Sequence, residues 1–351
     1  MCARIALFQK SSLFHIGERL FLLYNESKKI VQRGNRMPTL KDVAKLANVS
    51  KMTVSRVINH PEQVTEELRE LVHRAMVEID YRPNKMAKAL AQNRTLIVKV
   101  MILEELDTTD PYFMSLLIGI ASELDKNHYA MQLITQTSIN KAECDGYIIM
   151  GMREKDYTWI KEMPKPVVLF GENDYGVTYV DSDNVGGTFK ATNFAIGKGY
   201  EKITFVGIDV TDRFERSREK GYLDAMAAAG METEILRFDN HSTPTTDYFR
   251  DHLHLYPENT CFVCGSDRLA LGVENGIHQA GKSVPGDYGV IGFDGVLLDQ
   301  IAVPKLTTVK QDVRQMGELC AQLVLRKIQF PNEEVESIEF DTQLVIREST
   351  K

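Results

Sequence analysis

From Leu96 onward, apolar runs of strand length alternate with amphipathic stretches of helical length. Strand-like runs fall at 96–103, 129–135, 146–150, 167–170, 203–208, 234–238, 261–264 and 288–293, with a last one at 343–347. Helical periodicity falls between most of them, for example at 112–126, 185–198, 216–229, 267–280 and 313–327. Such alternation gives parallel sheets with helices on both faces. Two sheets of this kind separated by a cleft hold a small molecule at the carboxyl ends of their strands. One connection strains the scheme: only residues 137–144 separate two strand runs, where a parallel crossover needs a dozen or more. Either a helix is missing there and the first lobe is locally thinned, or a strand pairs differently.

Ahead of this body the pattern changes to short helices with tight punctuation. Thr39 is placed to cap a first helix, with Asp42 three positions on, and Val43, Ala44, Leu46 and Ala47 give it an apolar side. Asn48-Val49 breaks it, and Ser50 is a second cap, opening a helix at 51–58. Two helices joined by so short a turn form a helix-turn-helix, whose second helix lies in the DNA major groove. Val54, Val57 and Ile58 turn inward on that helix, leaving Lys51, Met52, Thr53, Ser55 and Arg56 outward. Lys51 and Met52, at its start, are placed to read base edges, and Arg56 suits the two-pronged bond to guanine O6 and N7. Thr53 and Ser55 are short donors for phosphate oxygens, which fix register without reading sequence. A merely solvated face is the bland reading for any one of these charges. The caps, the turn and the next segment together weigh against it.

That next segment runs Tyr81-Arg82-Pro83-Asn84-Lys85-Met86-Ala87-Lys88-Ala89-Leu90-Ala91. Pro83 stops the third helix and Asn84 can cap a new one of about two turns, too short to be stable alone. Lys85 and Lys88 beside small residues and Leu90 suit a segment that folds on DNA, with lysines at phosphates and an apolar wedge in a minor-groove step. With VAKLANVSKMTVSRVIN and the Y-R-P-N run, the chain resembles the LacI/GalR family of bacterial transcription regulators from about Met37 to its end. The resemblance implies that Leu90 is the intercalating residue of a hinge helix and that hinge helices pair across a homodimer. It also implies a body of two doubly wound lobes like those of periplasmic binding proteins. The expected organisation is a helix-turn-helix domain at 37–82, a hinge helix and linker at 83–95, and a two-lobed ligand-binding and dimerisation domain at 96–351.

Charge distribution sharpens this picture. The whole chain of 351 residues is acidic, at net −7, which would be odd for a protein that only binds nucleic acid. Residues 37–96, however, hold 10 Lys and Arg against 7 Asp and Glu, whereas residues 97–351 hold 25 against 40. A mildly basic head on an acidic body confines phosphate contact to one end. The first 36 residues carry 7 basic and 2 acidic side chains and no apolar run long enough for a membrane. Translation is expected to begin at Met37, making 1–36 a non-native or disordered extension; a basic arm adding non-specific DNA affinity is the alternative. Five cysteines fit reduced thiols in the cytoplasm. Cys261 and Cys264, in an apolar run, read as strand residues on opposite faces and not as a redox or zinc site.

Candidate ligand residues are polar groups at strand ends. The family's R-x-x-G-[YW] and G-[YF]-D motifs match at Arg218 and at Asp294, and the resemblance implies that these two bind ligand hydroxyls. A guanidinium and a carboxylate suit vicinal hydroxyls, since each bonds bidentately. Ser266 and Asp267 match another such position, where many relatives carry Asn in place of Ser266. Gly295 stands where relatives often have a second polar residue. Asp110-Pro111-Tyr112-Phe113 matches an N-P-F-F loop over the cleft, with Tyr112 and Phe113 placed to stack on a sugar. Glu172 and Gln311 are further candidates, and a helix cap or interlobe salt bridge is the bland reading of each.

No G-x-S-x-G, phosphate-binding loop, H-E-x-x-H or dinucleotide fingerprint stands at a strand-to-helix turn. A catalytic role, a cofactor and a metal are therefore not expected. The expectation is a cytoplasmic, ligand-responsive repressor of a carbohydrate operon, with operator DNA, a small carbohydrate or sugar phosphate, and a second copy of the chain as partners. The chain ends soon after its last strand without a leucine-heptad tail, so a dimer is expected and not a tetramer. A corepressed or global regulator, and a sugar sensor without DNA binding, are the alternatives.

Overall fold

The computed structural model describes residues 38–59, 61–81, 94–104, 111–135 and 143–351. These fall into two compact units, the head at 38–81 and the body from 94. The extension at 1–36, the expected hinge-helix residues Asn84, Lys85, Lys88 and Leu90, and most of the short 137–144 connection lie outside the described residues.

The head consists of α1 (Leu40–Leu46), α2 (Lys51–Asn59) and α3 (Glu66–Glu78). Both expected caps form. The Thr39 amide and hydroxyl donate to Asp42 Oδ2 at 2.8 and 2.6 Å, and the Thr53 amide donates to Ser50 Oγ at 3.0 Å. Between them Asn48 takes φ 50°, a left-handed turn that asparagine tolerates better than most residues. Val43, Val54, Val57 and Val72, from all three helices, are at most 2% exposed. Burying each such side chain contributes roughly 1.5–3 kcal/mol, so these few contacts set the angle between α1 and α2.

The body is two parallel sheets of the same winding. The first lobe contains β1 (Ile97–Ile102), β2 (Ala130–Thr135), β3 (Gly146–Met150), β4 (Val167–Phe170) and β5 (Tyr179–Ser182), with β11 (Ile338–Phe340) at its edge, in the order β11-β5-β4-β3-β1-β2. The second contains β6 (Lys202–Ile208), β7 (Ile235–Phe238), β8 (Thr260–Cys264), β9 (Gly289–Asp294) and β10 (Thr307–Lys310), with β12 (Gln343–Val345), in the order β12-β10-β9-β8-β6-β7. Only the β10–β12 pair is antiparallel among these strands. Both β2 and β3 pair parallel with β1, so the short 137–144 connection does not change the pairing.

The helices that matter for the cleft are α4 (Pro111–Lys126), α5 (Tyr157–Lys161), α6 (Asn184–Gly197), α7 (Arg213–Ala229), α8 (Ser242–His252), α9 (Asp267–Gln279), α10 (Leu298–Ile301) and α11 (Val313–Gln329). The chain passes between lobes after β5, after β10 and after β11, so α11 packs with α4 on the first sheet although it follows the second in sequence. Two glycines allow that contact: a Cβ on Gly119 would lie 2.1 Å from Arg314 O, and one on Gly317 would lie 2.4 Å from Leu116 O. Cys261 and Cys264 are buried on opposite faces of β8, in two different clusters. Burial pushes both thiols up, so they are inert packing residues.

Candidate ligand cleft and nucleic-acid face

A cavity of about 960 Å³ lies between the two lobes of the body, near the upper end of the roughly 300–1,000 Å³ usual for ligand pockets. It opens where β3, β4, β6, β8 and β9 end, which is where a doubly wound sheet leaves backbone polar groups and loop side chains facing outward. Six of the sequence-derived candidates line it: Tyr112, Phe113, Glu172, Arg218, Ser266 and Asp294. Two others, Asp267 and Gln311, stand one layer behind.

Arg218, on the second turn of α7, is 6% exposed. Its Nε donates to Asn184 Oδ1 at 2.9 Å and its Nη1 to the Gly265 carbonyl at 2.6 Å. The guanidinium also lies 3.9 Å from the Phe293 ring centroid and 5.0 Å from that of Phe214. Aromatic faces and fixed acceptors hold a planar cation in one orientation. Behind it, Glu215 Oε1 accepts the Ile208 amide at 3.0 Å, in a space that exists because position 207 is glycine, whose Cβ would lie 2.5 Å from that oxygen. Burial pushes the Glu215 carboxyl up to about 7, against the pull of Arg218.

Asp294 ends β9 with φ 127°, a strained conformation for a residue with a side chain. The surroundings enforce it. Asp267 Oδ2 accepts the next amide, Gly295 N–H, at 2.8 Å, and its Oδ1 accepts the Thr308 hydroxyl at 2.6 Å. Burial, and then the charge of Asp294, push Asp267 well above the usual carboxylate range. Asp267 therefore shapes the turn that presents Asp294. Gln311 Nε2 donates to Asp294 Oδ1 at 2.8 Å, and Gln311 Oε1 accepts from Ser182 Oγ at 2.5 Å and Tyr112 OH at 3.3 Å. Ser266 caps α9 through the Leu269 amide at 3.2 Å and donates to Asn240 Oδ1 at 2.7 Å.

On the first lobe, Tyr112 and Phe113 meet edge to face, 5.8 Å between centroids. Glu172 forms an ion pair with Arg213 of the second lobe at 3.2 Å, the interlobe bridge that was its bland reading. Several lining residues escaped the sequence argument: Asn240, Asp181, Arg153, Asp212, Phe214 and the stacked pair Tyr157 and Tyr175. Asn240 follows a strand run and carries the same strand-end signal as Asp294. Asp181 sits in a short strand that the periodicity missed; it accepts the amides of Glu172 and Ser182, and burial pushes it up to about 6. Arg153 and Asp212 find each other at a separation of 59 positions, which has no local signature.

The head presents its candidates as expected for a reading helix. Lys51, Met52 and Arg56 are exposed, Met52 at 66%, while Thr53 and Ser55 are half-buried. Arg56 Nη2 lies 3.9 Å from Met52 Sδ, so the two extend from one patch. The Thr53 hydroxyl also shares a 2.8 Å hydrogen bond with Ser50 Oγ, so its first duty is local.

Known proteins share both units. Residues 39–84 match the family model for bacterial regulatory proteins of the lacI family, and residues 192–350 match that for a periplasmic binding protein-like domain. An uncharacterized HTH-type transcriptional regulator of Bacillus subtilis, YvdE, is 50% identical over 90% of this chain and 100% of its own length. The HTH-type transcriptional regulator CelR of Thermobifida fusca is 30% identical over 90% of this chain and 98% of its own. Among solved structures, a transcriptional regulator CelR–cellobiose complex superposes with a TM-score of 0.68 at 29% identity, covering 89% of this chain and 99% of that one. The chain belongs to the lacI family of bacterial regulatory proteins, whose matched members are transcriptional regulators.

Proposed function

We propose that the protein is a repressor that releases its operator when a saccharide enters the cleft. The observation that carries this reading is that Arg218 and Asp294 both line a strand-end cleft with aromatic rings, each held by a buried partner. Pre-oriented groups of this kind bind hydroxyls without an ordering cost at the moment of binding, and rings offer sugar faces an apolar platform. A relative's structure contains cellobiose by its own description, which agrees in ligand class.

In the head, Lys51, Met52 and Arg56 contact base edges, and Thr53 and Ser55 contact phosphates. Asn84, Lys85 and Lys88 hold the backbone near a minor-groove step that Leu90 enters. Two chains act together. Met114 and Ile118, one turn apart on α4, are 60% and 48% exposed, and Ile301 and Val303 on the second lobe are 60% and 82% exposed. Apolar faces of this extent favour a second copy. The protein works where the chromosome is, in the cytoplasm. Among the described residues, no helix is long and apolar enough to cross a membrane.

The chain has one tryptophan, Trp159, whose Nε1 donates to Asp156 Oδ1 at 3.3 Å while Asp156 Oδ2 accepts the Arg153 amide. Its fluorescence thus reports on the cleft wall. Titration with a panel of neutral mono- and disaccharides should give a saturable change with one of them, lost in Arg218→Ala and Asp294→Ala. A change that persists in both variants would refute the cleft reading.

A further inference from the structure

The mouth of the cleft carries more charge than gripping hydroxyls requires, and the charges are arranged in opposed pairs across the two lobes. Arg153 of the first lobe lies 2.6 Å from Asp212 of the second and 3.9 Å from Glu104. The neighbouring residue Arg213 runs the other way, 3.2 Å from Glu172 and 3.2 Å from Asp174 of the first lobe. Arg216, one turn on, lies 3.9 Å from Asp174. Deeper in, Arg218 is held by an amide oxygen and a carbonyl, with Asp181 and Glu215 near enough for each to be pulled by its charge. Among the described lining residues, seven carboxylates stand against five cations.

We propose that this cleft selects an uncharged saccharide, and that the carboxylates paired with Arg153, Arg213 and Arg216 exclude phosphorylated and acidic sugars. The inference rests on the saccharide reading for its ligand but not for its charge rule. An anionic group that approaches Arg153, Arg213 or Arg216 at the mouth has to displace a carboxylate from it, and then sits beside that carboxylate with no cation between them. Beside Glu172 and Asp212, whose side chains are 13% and 17% exposed, like charges a few ångströms apart repel more than in bulk water. Selectivity therefore comes from a built-in repulsive element as much as from attraction. A hydroxyl meets no such penalty, since it donates to carboxylates and accepts from guanidinium N–H groups alike.

The test uses the full chain and calorimetric titration at constant ionic strength. The probes are inorganic phosphate, glucose 6-phosphate and glucuronate, beside neutral glucose and cellobiose. The wild type should take up none of the three anions. The Asp174→Asn/Asp212→Asn variant, which keeps the arginines and removes two of their carboxylates, should gain affinity for inorganic phosphate by about tenfold or more, with unchanged thermal unfolding as the fold control. Adding Arg213→Gln to that variant should abolish the gain. Phosphate or glucose 6-phosphate binding to the wild type in a manner lost with Arg213→Gln would overturn the proposal. A folded double variant with no gain would overturn it too. Should the variant gain phosphate affinity while no neutral sugar binds either protein, the charge rule stands and the saccharide reading fails.

Discussion

Gln311 joins Asp294 at 2.8 Å, and through its other amide atom it joins Ser182 and Tyr112. One buried side chain at a crossing between lobes thus touches the second lobe's cleft-lining carboxylate, the first lobe's strand β5 and an aromatic wall of the cleft. An effector that shifts Asp294 has to move Gln311 or break its bonds. Removing one partner of a buried hydrogen bond costs about 1–3 kcal/mol. Gln311→Ala should weaken effector affinity by roughly 5- to 100-fold and reduce the change in operator affinity that saturating effector causes. Titrating effector against free and operator-bound protein separates the two effects; an unaltered response would remove Gln311 from the coupling.

Arg56 and Ser55 lie side by side on α2 and should fail differently. Arg56→Ala should cost about 1–3 kcal/mol at the operator and relax discrimination at one base pair. Ser55→Ala should weaken specific and non-specific DNA alike. Anisotropy on a set of single-base operator variants at fixed salt distinguishes the patterns, and equal profiles for the two variants would contradict the assigned roles.

Glu274 gives a pH signature. It is 1% exposed, and burial pushes its carboxyl up to about 8. In the unfolded chain the group titrates near its ordinary value, so between about pH 4.5 and 8 the folded state holds a proton that the unfolded state has lost. The associated stability is complete at low pH and is lost as pH rises through the folded value. Glu274→Gln should therefore be more stable than the wild type at pH 8, by on the order of 1 kcal/mol or more, with the advantage shrinking toward pH 5. Denaturant melts at both pH values measure this, and an advantage independent of pH would show that Glu274 does not titrate there.

The dimer proposal predicts that Ile118→Asp, on the exposed face of α4, yields monomers. A charge placed in a buried apolar interface costs several kcal/mol unless it is paired. Sedimentation equilibrium should give a dimer for the wild type and a monomer for the variant. A wild-type tetramer, or an unchanged variant, would count against the assignment.

The parts of this molecule that were legible in sequence are those set by neighbours in the chain. Thr39, Asp42, Asn48 and Ser50 specify the turn between α1 and α2 within a dozen positions, and the structure places their bonds as expected. The family resemblance, together with the strand-end position of Ser266 and Asp294, pointed to Arg218, Ser266 and Asp294, which share one cavity. It could not tell lining from support, because Asp267 and Asp294 carry the same side chain at similar strand ends. Only the partners, Thr308 and Gly295 for one and Gln311 for the other, separate them. The strands β5, β10 and β11 mix polar with apolar residues over three or four positions and lack the continuous apolar run that marked the equally short β4. The α7 helix begins at Arg213, three positions before the periodicity indicated, and that first turn carries Arg213, Phe214 and Glu215. Interlobe pairs such as Arg153 with Asp212 depend on how two sheets are set against each other, and no local pattern encodes that.

The most direct test of the account is operator release. The protein would be bound, at fixed salt, to a labelled palindrome from upstream of its own gene, and its anisotropy followed while neutral saccharides are added. Tight binding that one neutral saccharide abolishes is expected, in a response that Arg218→Ala and Asp294→Ala lose. Tight binding that saccharides leave unchanged, or that any of them strengthens, would contradict it.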